Sequence, residues 1–452
     1  MLPADAVSGL FPPQAGSPQP QLSLPLSPWC ESTRIDSLAR FGTPSPTLVE
    51  RAAKRALEAP QGPTRQERTD RVPNARREHR IAAVREGWKA LRWLWDHSDL
   101  KSQRRCSRYL VPDQRLTLGK RAHKSVFKGL WRCKRLDCPV CGPGNAEREA
   151  ANIGLAVTAH YANDGTVLFV TLTLRHVFKQ SLLALLAGLS KSWDACRMHK
   201  GPRAQWEALT IGFIRKLEVT FGRNGWHPHL HLLVFLKPGV TDAQVNQFCD
   251  AIFNAWSGKL VRLGFGKPTT RRGIEWERLD LEAAQERLAQ YVAKDAGREL
   301  AAAGTKSGKN GNSTMHDLLT AAAAGDWKAG LRYLEYEDAM KGKARIQWST
   351  GLEDALLGSE LAADADEDDQ AREIAIFSDE AFYVLRRNEV YGHGPGLSQL
   401  LAWADECDDD FATFALLHRK CLEHGIPPPA LAQRLIDELE AGSPPAHPPS
   451  TG

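Results

Sequence analysis

The chain has 452 residues, 42% hydrophobic and 25% charged, which is the composition of a globular protein with room for two or three domains. No apolar run approaches the roughly 18 residues that cross a bilayer. Met1–Leu2–Pro3–Ala4–Asp5 also lacks a basic segment leading into an apolar one, so membrane and secreted classes are set aside and the cytoplasm is expected. The net charge of +5 conceals a split: residues 51–140 hold 24 Lys/Arg against 9 Asp/Glu, and residues 351–452 hold 6 against 21. The basic part suits a polyanion such as nucleic acid, unless it is only a solvated face. The acidic end is expected to solvate or regulate.

Residues 1–75 are rich in Pro, Gly, Ser and Gln and read as a disordered region with at most a short helix near Thr47–Leu57. Residues 76–150 read as a basic helical and Cys-rich module, opening with a helix over Glu78–Asp96 that carries Val84, Trp88, Leu91 and Trp95 at helical spacing. Residues 151–352 form the next unit. Val167–Leu174 (VLFVTLTL) is a β-branched strand, Ser181–Cys196 an amphipathic helix, and Ile211–Phe221 with His227–Leu236 a hairpin. Thr241–Trp256 is helical, Ile274–Leu279 a strand and Leu281–Asp295 a helix. Thr305–Ser313 is a Gly/Lys-rich loop, and short helices run through Asp326–Met340. An acidic linker (353–378), a small all-α region (379–440) and a disordered tail (441–452) complete the chain. Strands separated by helices around a central hairpin predict an α+β fold with a mostly antiparallel sheet covered by helices.

Nine cysteines with one dense cluster suit a reducing compartment and a metal site better than a disulfide framework. Cys133, Cys138 and Cys141 have the spacing C-x4-C-x2-C, three legs of a tetrahedral structural Zn²⁺ site, with Cys106 the first choice for the fourth leg and His123 the second. Arg104, Arg105, Arg108, Lys120, Arg121, Lys124, Lys128, Arg132, Lys134 and Arg135 surround this cluster and are candidates for DNA contact. A staple whose cations only solvate it is the alternative. Cys30, Cys196, Cys249, Cys407 and Cys421 have no ligand spacing.

His229 and His231, in HPHLH, share one face of a strand and would project into one volume. Glu218 on the preceding strand is the candidate third ligand, through a register pairing Thr220 with His229 and Glu218 with His231. Two imidazoles and a carboxylate suit Mn²⁺ and accept Mg²⁺; two core histidines are the other reading. Tyr291 and Lys294 sit at i and i+3 on the border of the Leu281–Asp295 helix. A phenol becomes a nucleophile near neutral pH only with help from a base, a cation or a polarised electrophile, which Lys294 could supply, although a border tyrosine is more often packing.

VLFVTLTL, WHPHLHLLVF (Trp226–Phe235) and YVAK (Tyr291–Lys294), in that order, resemble the three motifs of the HUH endonucleases, and specifically the rolling-circle replication initiators of bacterial plasmids. The resemblance spans residues 104–351, including the cysteine module and Leu331–Leu352. It implies that His229, His231 and Glu218 hold the catalytic divalent ion, and that Tyr291 is the nucleophile with Lys294 beside it. It further implies nicking of one origin strand, single-stranded or in a hairpin, to give a 5′-phosphotyrosine and a 3′-OH primer, with later rejoining. Host helicase and polymerase would be partners. Some relatives carry a water-activating glutamate four residues before the tyrosine; Arg287 stands there, and Glu286 faces about 100° away on a helix. A mobilisation relaxase or single-tyrosine transposase shares this chemistry, and a non-catalytic zinc-containing DNA-binding regulator is a separate alternative. An oxygen-chemistry barrel would need a glutamate soon after the second histidine, where Leu232–Leu236 follows instead.

Overall fold

Two antiparallel sheets organise the protein. A computed structural model describes residues 51, 54, 72–121, 124–283, 312–358 and 371–441. Residues 359–370 of the acidic linker, the tail from 442, His123, and the stretch holding Tyr291 and Lys294 lie outside those residues, as do residues 1–71 except Arg51 and Lys54, while the helix from Val72 takes in the end of the region read as disordered. The strands are β1 (Thr117–Arg121), β2 (Lys124–Lys128), β3 (Thr166–Thr173), β4 (Thr210–Gly222), β5 (Gly225–Leu236), β6 (Ile274–Leu279), β7 (Ile346–Trp348), β8 (Arg372–Ile376) and β9 (Ala430–Leu431). Their orders are β2-β1-β8-β9 and β6-β3-β5-β4-β7.

In the five-stranded sheet the two faces follow the period of two. Leu168, Val170 and Leu172 of β3, Phe213, Leu217 and Val219 of β4, and Leu230, Leu232 and Val234 of β5 join one core. Helices Val72–His97, Leu182–Met198, Lys200–Leu209, Asp242–Arg262, Met315–Ala323 and Trp327–Ala339 contribute most of the rest. Ser181 caps the Leu182–Met198 helix by accepting from Ala184 N, and Thr241 opens the Asp242–Arg262 helix with a capping box, so both start where the hydroxyl meets the apolar stripe. The opposite face is apolar at one end only. There Val167, Ile214, Leu233 and Phe235 pack with Ile153, Ala156 and Val157 of the Gly142–Ala162 helix. Along that face β5 reads His227, His229, His231, Leu233, Phe235, so the covered apolar end gives way to three imidazoles.

The hairpin turn corrects the expected register. Glu218 pairs with His229, Lys216 with His231 and Thr220 with His227. An Asn224–Gly225 turn, the commonest two-residue hairpin signal, would give the expected pairing. Instead Arg223 and Asn224 form the turn and Gly225 closes it at φ +85°, where an added Cβ would also meet the Phe178 backbone at 3.0 Å. A slip of two residues keeps every side chain on its face, so Glu218 stays with both histidines.

The four-stranded sheet joins distant parts of the chain. The C-terminal region contains the expected helices, Asp379–Tyr391, Leu397–Ala404, Asp410–Glu423 and Gln433–Ala441. Two strands went unread: β8 pairs with β1, and β9 with β8. One core holds Trp88, Leu91 and Trp95 of the Val72–His97 helix together with Leu385, Leu400, Phe414 and Leu435. The acidic end therefore lies on the basic module, and part of the charge split is paired within the fold. Arg77 pairs with Asp408, Arg92 with Glu389, Arg80 with Asp405 at 3.4 Å and Lys128 with Glu373 at 2.9 Å.

Lys120 is the extreme case and a correction to its reading as a DNA contact. It is 2% exposed, and its ammonium donates to Cys407 O and to Thr413 Oγ1. Burial lowers its pKa, opposed by Asp410 and its neighbours. Lys120→Ala is expected to cost about 1–3 kcal/mol of stability, because two buried acceptors lose their donor. Its DNA affinity and salt slope should match wild type in a melting curve and a binding titration; a salt slope reduced by about one would restore Lys120 as a phosphate contact.

Candidate active site

Glu218, His229 and His231 converge on the polar end of this sheet face. Glu218 Oε2 lies 3.1 Å from His231 Nε2 and 3.4 Å from His229 Nε2. One ligand atom from each residue falls within 4.8 Å of the others. The side chains are 12–18% exposed, so the cluster is reachable without being solvated. Burial alone would raise the Glu218 carboxyl, but hydrogen bonds and charge from both histidines outweigh it and hold the group well below the usual carboxylate range. Burial pushes His231 down to about 4, which favours the neutral imidazole that ligates metals. A carboxylate and two imidazole nitrogens aimed at one point fit a divalent cation.

The surroundings add residues that sequence reasoning missed. Thr171 Oγ1 sits 3.0 Å from His231 Nδ1, directly across β3–β5, and leaves Nε2 turned toward Glu218. Phe169 stacks on the His231 ring at 5.5 Å. Lys216, opposite His231, is 1% exposed and adds to the forces lowering that histidine's pKa. His176, just past β3, lies 4.9 Å from the ring of His227, itself 5.2 Å from His229. Burial, then the charges of His229 and His176, pushes His227 down to about 4. The one available signal for Thr171 was its place in VLFVTLTL; nothing in the sequence pointed to His176. Trp256 Nε1 donates to Thr173 O at 3.1 Å and ties the covering helix to this end of β3.

The second cluster is made of four cysteines. Cys106 Sγ lies 3.7 Å from Cys138 Sγ and 3.4 Å from Cys141 Sγ, and Cys133 Sγ lies 3.8 Å from Cys141 Sγ. These separations are far beyond a disulfide, and a tetrahedron with Zn–S bonds of about 2.3 Å has S–S edges of about 3.8 Å. Hydrogen bonds from Cys133, Cys138 and Cys141 hold Cys106 well below the usual thiol range, while burial raises Cys138. The residue after each of two ligands, Ser107 (φ 54°) and Lys134 (φ 52°), is left-handed. That conformation costs about 1–2 kcal/mol for a residue with a side chain, and a metal crosslink would offset it. Arg135 grips Asp137 through two 2.8 Å bonds, so it braces the Cys133–Cys141 loop. Arg104, Arg105, Arg121 and Lys134 are exposed, and Arg108, Lys124 and Arg132 half-buried.

The family profile described as "Replication protein" matches residues 124–250, which contain β2 to β5 and all three residues of the His/Glu cluster. "Protein rep" of Streptomyces lividans is 30% identical over 343 residues, covering 59% of this chain and 75% of its own. "Protein rep" of Streptococcus pneumoniae serotype 2 is 31% identical over 123 residues, covering 25% and 37%, and that of Lentilactobacillus hilgardii 27% over 111 residues, covering 24% and 34%. No solved structure shows significant similarity to this chain. With a sheet-borne His/Glu cluster inside the matched segment and a relative covered over three quarters of its length, the chain belongs to the Rep family of replication proteins.

Proposed function

We propose that this protein initiates rolling-circle replication of a plasmid by nicking one strand at the origin. The observation that carries this reading is the convergence of His229 Nε2, His231 Nε2 and Glu218 Oε2 on the polar end of one sheet face, in a replication protein. When bound there, Mn²⁺ or Mg²⁺ supplies Lewis-acid polarisation of the scissile phosphate. The phenol oxygen of Tyr291 forms the new bond to phosphorus, and the bond to the 3′ oxygen breaks. The leaving oxygen takes up a proton and becomes the 3′-OH primer, while the 5′ end stays on the tyrosine. Lys294 steadies the phenolate. The ester energy is retained, so the reverse reaction rejoins the strand.

The reach from the sheet supports this assignment. Asp280 caps Ala283 N, so a helix opens directly after β6. The sequence reading carries it to Asp295, and ten residues of helix rise about 15 Å. Leu279 pairs with Val167, and Thr171 pairs with His231. The four-residue step between those rows is about 13 Å. That distance is within the length of ten helical residues, the separation that the sequence reading gives between Leu281 and Tyr291. The exposed cations of the cysteine module would hold the origin, and host helicase and polymerase would act on the nicked product.

The test is incubation with a single-stranded origin oligonucleotide and Mn²⁺. The expected product is protein covalently joined to the 5′ end of the downstream fragment, and its absence at any divalent-ion concentration would favour a non-catalytic regulator. Glu218→Gln should raise the Mn²⁺ concentration for half-maximal cleavage by about 10–100-fold; an unchanged Mn²⁺ titration would exclude Glu218 as a ligand.

A further inference from the structure

We infer that the cysteine module carries a second nucleic-acid site, a pocket that accepts one unpaired nucleotide of single-stranded DNA. This rests on DNA being the substrate and not on the nicking step. A cavity of about 310 Å³ opens between the Val72–His97 helix, β2 and the start of the Gly142–Ala162 helix. That volume is at the lower end of the roughly 300–1,000 Å³ of ligand clefts and suits a single nucleotide.

Its lining has two chemistries. Arg80, Arg121, Lys124, Arg132, Lys134 and Arg148 bring positive charge from two helices, β1, β2 and the cysteine loop, and Glu147 is the one carboxylate among the described lining residues. Asp405 pairs with Arg80, and a zinc tetrathiolate beside the pocket would carry two net negative charges. With Glu147 these bring four negative charges against six positive ones, so the lining keeps a net positive charge. The walls between them are apolar, from the half-buried Ala83, Val84 and Val140, with the core pair Trp88 and Phe127 behind them. An inorganic anion would leave those walls uncovered, whereas a base joined to a phosphate satisfies both.

Two further features mark the pocket as built for a polar guest. Ser125 lines it at 3% exposure, and its Oγ has no hydrogen-bond partner among the described residues, although its backbone N–H is held by Asp405 at 2.8 Å. A buried hydroxyl without a partner is a costly arrangement that a ligand relieves. The Gly142–Ala162 helix starts at the rim with no side-chain cap, and a Cβ added to Gly144 would meet nothing within 4 Å, which leaves its backbone open to a phosphate. In a duplex the base faces are stacked on one another and only base edges and the backbone are exposed, so the apolar walls select an unpaired nucleotide.

The full-length chain, without added Mn²⁺ or Mg²⁺, is titrated into a fluorescein-labelled mixed-sequence single strand, with the matching duplex and dAMP as further probes. Lys124→Glu is expected to weaken single-strand binding about tenfold, and Ser125→Ala by a few-fold. Lys101→Glu, exposed and outside the pocket, should weaken it less than about threefold. Duplex binding should fall by the same small factor in all three. Equal losses for Lys124→Glu and Lys101→Glu, or an equal loss on duplex, would overturn the proposal. Should Lys124→Glu lose its cooperative melt, Ser125→Ala decides alone, and unchanged single-strand affinity there is the overturning result. Tight dAMP binding that Lys124→Glu abolishes, with strand binding untouched, would assign the pocket to a free nucleotide and also overturn it. Adduct formation by wild type is measured alongside: no adduct with pocket-dependent binding sinks only the nicking reading, and an adduct with no pocket dependence sinks only the pocket.

Discussion

Replacing Tyr291 with Phe is expected to abolish the covalent protein–DNA adduct, a loss of at least a thousandfold, on the order seen when a nucleophile is removed. DNA affinity should stay within about twofold, since only one oxygen is lost. Denaturing gels of a 3′-labelled origin strand separate the two effects. The other six tyrosines are described and offer no ready substitute. Tyr161 donates to Leu279 O and accepts from Val167 N, and Tyr333 and Tyr336 are 1% exposed. Tyr383 and Tyr391 lie on the Asp379–Tyr391 helix, while Tyr109 lies close to Arg105 and Arg386, within the cysteine-bearing half. An adduct that survives in Tyr291→Phe would place the nucleophile outside this scheme and remove the Tyr291 assignment.

Cys138→Ser is expected to unfold the cysteine-bearing half. Cys138 is fully buried and shares the core with Trp88, Leu118 and Phe127. Structural zinc contributes about 10–16 kcal/mol in small zinc-dependent folds, as much as the whole stability of a typical domain. Metal analysis should find one zinc per wild-type chain and none in the variant. Its first melting transition should disappear or fall by tens of degrees, and a chelator should do the same to wild type. A Cys138→Ser protein that retains zinc and melts like wild type would mean that the four thiols are packing residues.

How far the site was legible depended on which physical signal each residue left. The histidine pair was legible because a period of two puts His229 and His231 on one face in any register. The carboxylate survived a wrong register for the same reason, as the slip was by two residues and not one. What sequence could not show is which turn residue takes the left-handed conformation, and the hairpin pairing follows from Gly225. The long amphipathic elements, Val72–His97, Leu182–Met198 and Asp242–Arg262, left strong helical patterns with capping residues at the starts of the last two. The strands β1, β2, β8 and β9 left almost none: TLGKR, KSVFK and REIAI are short and charged, and β9 has two residues. Their pairing is set by a core assembled from both ends of the chain, which no local window contains. The same blindness made Lys120 look like a surface cation.

The partnership of β1 with β8 sets an order on biosynthesis. The edge of β1 that pairs with Arg372–Ile376 is made about 250 residues before its partner. At the usual pace of translation that interval is roughly 13–50 s, during which the five-stranded sheet can be completed while the other stays open. A polypeptide cut short after β7 would keep the Glu218, His229 and His231 cluster but display an unpaired, sticky β edge and an unfinished core. The second core closes only once the C-terminal helices are made, so premature termination would yield an unfinished fold open to proteolysis.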